Sequence, residues 1–277
     1  MPTRDQTITD AVRVFEQAEY PSGLSPATVW LGIYQTLLWY EPVNWLNFRE
    51  LPHIIDADKL RPAAPPRKRS WTKPNAWQQR AQVLSSYLAE RLGCSTTDIS
   101  QKTDLLMRQP DYQGMQRQNT LGIAFAGLIK HALEKFGSQT VSYEMEVDAA
   151  AIFPGITFPG RSDAPRIDLL AREESIPRAI ISAKWSVRHD RLSDITNECP
   201  VYKAAYGRIY RQTRRDLLYY VATNEYDPSR LNKMLDDTCV DGVVHVHKAA
   251  VVTVCGLNGR LNRLIDLADF ISSGSVW

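Results

Sequence analysis

The spacing of apolar positions changes character near residue 115. Before that point apolar residues recur at helical intervals. Ile8, Val12, Phe15 and Ala18 mark a first helix, stopped by Pro21-Ser22-Gly23. Ser25-Pro26 opens a second, carrying Val29, Leu31, Ile33, Leu37, Leu38 and Tyr40. Further helical stretches are predicted over 45–60 and 75–92, the latter closed by Gly93. Between them, 61–74 holds four prolines, which no regular helix accommodates. That segment is expected to be an exposed loop bearing Arg67, Lys68, Arg69, Trp71 and Lys73.

Beyond residue 117 strands enter the pattern. An apolar helix over 121–136 ends at Gly137, a strand follows over 140–147, and 150–164 is a Pro/Gly-rich loop. Two runs, 166–171 and 178–187, are predicted to form a β-hairpin joined through 172–177. Helix is expected over 190–215 with a break near Cys199-Pro200, then a buried strand over 216–223. Asp227-Pro228-Ser229 caps a helix to Leu235, a strand covers 243–247, and an amphipathic helix over 261–271 closes the chain. Strands alternating with helices predict an α/β core behind a helical N-terminal part. The expected division is a helical N-terminal domain over 1–115 and an α/β domain over 116–277.

Composition narrows the class. The 277 residues are 44% hydrophobic and 23% charged, the proportions of a soluble globular protein. A net charge of +2 means that any nucleic-acid surface must come from local clustering. Arg67, Lys68, Arg69 and Lys73 form one such cluster, able to hold DNA phosphates or simply to stay solvated. Arg208, Arg211, Arg214 and Arg215 form another. The longest apolar run, Val29–Tyr40, is too short for a bilayer and contains Gln35, so no membrane association is expected. The four cysteines are scattered without a CxxC pair, which predicts neither a structural zinc site nor a disulfide framework. His245 and His247 share a strand face but have no third ligand nearby, so packing explains them better than a metal does.

The chemistry concentrates around Lys184. Alternation along a strand places Ser182 and Lys184 on one face. Asp168 sits in an apolar run on the partner strand, where an ionised carboxylate needs a compensating metal or cation. The hairpin can bring Asp168 beside Lys184, and the next helix can return Glu198 to both. Phosphodiester hydrolysis uses such groups: hard oxygen ligands suit Mg²⁺, and a lysine stabilises developing negative charge. A structural ion pair at a hairpin rim accounts for Asp168 and Lys184 equally well. Four residues on stands Arg188-His189-Asp190-Arg191. An arginine fork matches guanine O6 and N7, and a carboxylate accepts from the cytosine amino group, so Arg188, Asp190 and Arg191 suit G·C pairs.

The pattern Ser182-x-Lys184-Trp185-Ser186-x-Arg188-x-Asp190-Arg191, with Asp168 before and Glu198 after, resembles the type II restriction endonucleases that recognise CCGG-core sites, within the PD-(D/E)xK nuclease superfamily. The resemblance runs from Asp168 through Tyr219–Thr223 and Asp227–Arg230 to about His247. It implies a PD-(D/E)xK core, a mixed central sheet flanked by helices, with catalytic residues Asp168, Ser182, Lys184 and Glu198; beside such a core the helical N-terminal domain would dimerise or embrace DNA. Asp168 and Glu198 would bind Mg²⁺, and Arg188, Asp190 and Arg191 would read the central bases. In that family Ser replaces the usual acidic residue of the motif, and the following helix supplies the missing carboxylate. The implied protein is a cytoplasmic prokaryotic enzyme acting on double-stranded DNA as a homodimer or higher oligomer. Its products would be 5′-phosphate ends with four-base 5′ overhangs. Where relatives carry a glutamate on the preceding long helix, Phe125-Ala126 stands here; Glu144 or Glu146 are the substitutes. Asp168 follows Arg166-Ile167 rather than an adjacent proline. Two other readings of the same residues are a non-catalytic sequence-specific DNA-binding protein and a structure-specific junction nuclease.

Overall fold

The computed structural model describes residues 3–37, 86–99, 101, 118–159, 165–187, 189–255, 257 and 261–273. The chain divides into two compact units, one of Met1–Leu24 with Trp30–Leu128 and one of Ser25–Val29 with Ile129–Trp277.

In the first unit, helix α1 (Arg4–Glu16) begins at the N-cap Thr3, whose hydroxyl accepts the Gln6 amide, and buries Thr7, Ala11 and Phe15. Helix α2 (Val29–Leu37), part of this unit from Trp30, follows a 3-10 turn over Pro26–Thr28. Gly32 lies so close to Tyr20 and Phe15 that a Cβ there would fall 1.8 Å from the Tyr20 hydroxyl. Gln35 is buried yet satisfied, exchanging hydrogen bonds with the backbone of Glu19. Residues 86–92 are helical, and Gly93 ends them at φ +63°, the left-handed conformation expected of a helix-stop glycine. Helix α3 (Gln118–Phe136) belongs to this unit up to Leu128, burying Ala124, Phe125, Ala126 and Leu128, and to the second from Ile129, burying Ile129, Ala132 and Leu133.

The second unit is built on a six-stranded mixed sheet in sequence order. The strands are β1 (Val141–Asp148), β2 (Arg166–Glu173), β3 (Ile176–Lys184), β4 (Leu218–Thr223), β5 (Gly242–His245) and β6 (Leu264–Asp266). β1, β2 and β3 pair antiparallel; β3, β4, β5 and β6 pair parallel. The parallel connections are helical: α5 (His189–Ile209), α6 (Pro228–Asp236) and α7 (Lys248–Cys255). A short α4 (Ala149–Ile152) follows β1, and α8 (Leu267–Ser272) ends the unit. The unit is therefore α/β, as the alternation of elements predicted, and its sheet is mixed and flanked by helices. β3 is central and buried from Pro177 to Ala183, which explains why apolar residues fill most of it.

The hairpin is tighter than the sequence suggested. Glu173 pairs with Ile176, so the loop is only Glu174-Ser175, with Glu174 at φ +56°. Pro177 fits because the ladder shifts between Ala171 and Arg172, a bulge that relieves the missing amide. Helix α5 runs unbroken through Pro200. Its buried stripe of Leu192, Ile195, Cys199, Tyr202 and Tyr206 outweighs the backbone hydrogen bond lost to proline. The predicted closing helix resolves into a 3-10 turn, β6 and α8. A strand of three residues is too short to leave an alternation. β5 stops at His245, and residues 246–247 form a turn.

The expectation for the cysteines is overturned as well. Cys199 on α5 and Cys239 ahead of β5 form a disulfide, with Cα atoms 6.1 Å apart and 40 residues between them in sequence. Scattered spacing concealed a pair that only the α5–β5 crossover brings together. No helix among the described residues is long and apolar enough to cross a membrane.

Candidate active site

Asp168, near the start of β2, accepts three hydrogen bonds on a single oxygen, Oδ2. The Ala183 amide donates at 2.9 Å, the Ser182 hydroxyl at 3.2 Å, and the Lys184 ammonium closes the set. The regular β2–β3 register ends at Leu169↔Ile181, and beyond it the Asp168 side chain takes the strand's next amide. Lys184 and Asp168 keep side-chain exposures of 25% and 19%, so the ion pair is sheltered yet reachable from solvent.

These groups line a cleft of about 160 Å³ between the sheet and α5. Alternate residues Ile180, Ser182 and Lys184 of β3 form its floor, as strand periodicity requires. Asp194, Ile195, Glu198 and Tyr202 face it from one side of α5, and Tyr219 contributes from β4. Tyr202 and Tyr219 stack at 6.2 Å between centroids, with Phe153 and Phe158 packed against Tyr202. Burial raises the Tyr219 phenol well above its ordinary pKa, and the nearby charges of Glu198 and Asp168 push the same way. Tyr219 therefore stays a neutral hydroxyl beneath two carboxylates.

The four residues expected to be catalytic thus line one cleft. Of the expected base readers, Asp190 and Arg191 lie in the first turn of α5. Arg188, and the loop residues Arg67, Lys68, Arg69 and Lys73, lie outside the described residues. Glu144 is engaged by Arg172 at 2.8 Å. Glu146, flanked by the pairs Met145↔Leu169 and Val147↔Ile167, occupies the register position across from Asp168 at φ +52°. Arg211, Arg214 and Arg215 gather with Lys203 around a second cleft next to Leu218. Leu218 pairs with Ala179, whereas Lys184 pairs with Thr223, so this basic group lies at the other end of the strands from Lys184. His245 is fully buried, accepts the His247 amide on Nδ1 and lies 3.1 Å from the Glu225 carbonyl through Nε2. Packing, not metal binding, accounts for it.

Asp194 is an acidic residue of the cleft that the sequence pattern did not single out. Its spacing of four from Glu198 could have flagged it, since residues four apart share a helix face. Among the described residues no group of three or more His, Cys, Asp or Glu is arranged to hold a metal ion. Asp168 and Glu198 on one cleft nevertheless offer the hard oxygen ligands that suit Mg²⁺, which keeps most of its waters and uses one or two carboxylates. Compared with protein-family models, curated proteins and solved structures, the chain matches none.

Proposed function

We propose that this chain is a Mg²⁺-dependent, site-specific endonuclease that hydrolyses both strands of duplex DNA at a palindromic site with a CCGG core. The observation that carries the reading is the convergence of Asp168, Ser182, Lys184 and Glu198 on one cleft, beside the segment leading to Arg188-His189-Asp190-Arg191. We read the sheet as a PD-(D/E)xK core. Its support is a carboxylate on one hairpin strand, a lysine on the next, and a second carboxylate from the following helix.

Asp168 and Glu198 would hold the ion. When bound, it would neutralise non-bridging phosphate oxygens and acidify an attacking water. Ser182 and the Ala183 amide fix the Asp168 carboxylate, so its second oxygen, Oδ1, carries none of the three hydrogen bonds. Lys184 places a positive charge where negative charge develops on the phosphate. Tyr219 closes the cleft from below and helps exclude bulk water. Arg188, Asp190 and Arg191 would address the central G·C pairs from the major groove. A palindromic site calls for two copies related by a two-fold axis, hence a homodimer or a multiple of one. The products would carry 5′-phosphates and four-base 5′ overhangs.

The test is digestion of unmethylated plasmid DNA with Mg²⁺, beside an EDTA control and Asp168→Ala, with the ends sequenced. Discrete fragments ending at CCGG-containing sites, absent from both controls, are expected. Specific binding without cutting would instead indicate a non-catalytic DNA-binding protein. Cutting confined to branched DNA would indicate a junction nuclease.

A further inference from the structure

We propose that Glu225 is a positioning residue for base recognition: a buried carboxylate that fixes the backbone ahead of Arg188-His189-Asp190-Arg191 relative to Lys184. This rests on the reading of Arg188, Asp190 and Arg191 as base readers. Glu225 is 2% exposed and lies just past the end of β4. Both carboxylate oxygens are engaged. Oε1 accepts the amides of Tyr226 and Asp227 at 2.9 and 2.8 Å. Oε2 accepts the Val187 amide at 2.8 Å and Arg230 Nη1 at 3.2 Å. The amide of the neighbouring Asn224 donates to the Trp185 carbonyl at 3.0 Å. Two consecutive residues of one loop therefore hold two residues of the segment joining β3 to α5.

The position of that segment is what matters. Trp185 follows Lys184 directly, and Val187 precedes Arg188 directly. Lys184 itself is paired with Thr223, in register just ahead of Asn224. One loop thus fixes both ends of the three-residue bridge between the cleft and the reader. Capping the loop 224–227 needs only the contacts to Tyr226 and Asp227. The reach across 38 residues to the Val187 amide lies outside that need. A buried carboxylate is costly unless fully hydrogen-bonded, and this one is held by three amides and a guanidinium. Bidentate recognition of a base tolerates displacements of only about half an ångström, so a reader on a loose tether loses discrimination first.

Glu225→Gln tests this. Glutamine has the same reach but presents an NH₂ donor where one oxygen stood, so it must abandon either Val187 or the Tyr226 and Asp227 amides. Wild type and E225Q are compared, without Mg²⁺, for binding to short duplexes with and without CCGG. The preference for CCGG is expected to fall at least about tenfold in E225Q, the loss of one bidentate contact. Affinity for the duplex lacking CCGG, and its salt dependence, should change little, because phosphate contacts set both and Glu225 makes none. A smaller folded fraction would weaken both affinities alike and leave the ratio intact. An unchanged ratio in E225Q therefore overturns the proposal. If wild type itself shows no preference for CCGG, the functional reading has failed instead. Should E225Q not fold, Glu225→Asp replaces it, keeping the charge but withdrawing the oxygens by one methylene. A partial loss of preference is expected there too, and full retention overturns the proposal.

Discussion

Lys184 and Asp168, sixteen residues apart in sequence, meet across β2 and β3 with the ammonium on the same oxygen that takes the Ala183 amide and the Ser182 hydroxyl. A pair anchored this way can lose its cation and keep its geometry, because two neutral donors still hold the carboxylate. Lys184→Ala should therefore cut at least about 100-fold more slowly, in the range found when a charge-stabilising donor is removed from an active site. Binding to a CCGG duplex should persist. Gel shift and single-turnover cleavage on the same DNA separate the two effects, and equal cutting by the variant would remove Lys184 from the mechanism.

Glu198 reaches the cleft from α5, with no strand to fix it as β2 fixes Asp168. Glu198→Gln keeps the shape and removes the charge. The Mg²⁺ concentration giving half-maximal cleavage should rise about tenfold or more, as expected when one of two carboxylate ligands is neutralised. A Mg²⁺ titration of cleavage rate decides this. An unchanged midpoint with a lower plateau would place Glu198 outside the metal site.

His245 predicts a pH dependence of stability. Burial depresses its pKa from the usual 6.5 to about 3, so the folded protein keeps it neutral while the unfolded chain protonates normally. Its stabilisation is therefore intact above about pH 6.5 and is lost as the pH falls towards 3. The limiting slope is about 1.4 kcal/mol per pH unit. Urea unfolding of wild type and His245→Gln between pH 7 and 4 should show the wild type losing stability more steeply. Parallel curves would contradict the assignment.

The Cys199–Cys239 cross-link closes a loop of 40 residues. Chain entropy assigns such a cross-link about 4 kcal/mol. Reduction, or Cys239→Ser, should lower the urea midpoint accordingly, and Cys199 being the neighbour of Glu198 makes cleavage rate a second readout. An identical midpoint with and without reductant would show that the bond adds nothing to stability.

The parts legible in the sequence were those whose cause is local. The β2–β3 hairpin follows from two apolar runs, α6 from Asp227 capping the Arg230 amide, and the shared face of Ser182 and Lys184 from strand alternation. What escaped needed tertiary contact. β6 has only three residues, so β5 and the N-cap Asp266 define it more than its own pattern does. Pro200 read as a helix break because the packed stripe beneath it is invisible locally. Glu225 was not singled out, because its burial depends on Val187, His245 and Arg230 converging from distant parts of the chain. Asp194 carried a usable signal in its spacing from Glu198.

The change from antiparallel to parallel pairing at β3 also divides the unit in time. Every strand pairs with its neighbour in sequence, but the loop between β2 and β3 is only two residues long. Closing it costs little chain entropy, whereas each parallel pairing must wait for a helical crossover. Asp168 and Lys184 would meet early in folding, while Glu198 and the Glu225 clamp arrive with the later half. Folding φ-values at Leu169 and Ile181 should accordingly exceed those at Val243 and Leu264. The reverse order would mean that the parallel half nucleates the domain, and that the ion pair of the cleft is among the last contacts to form.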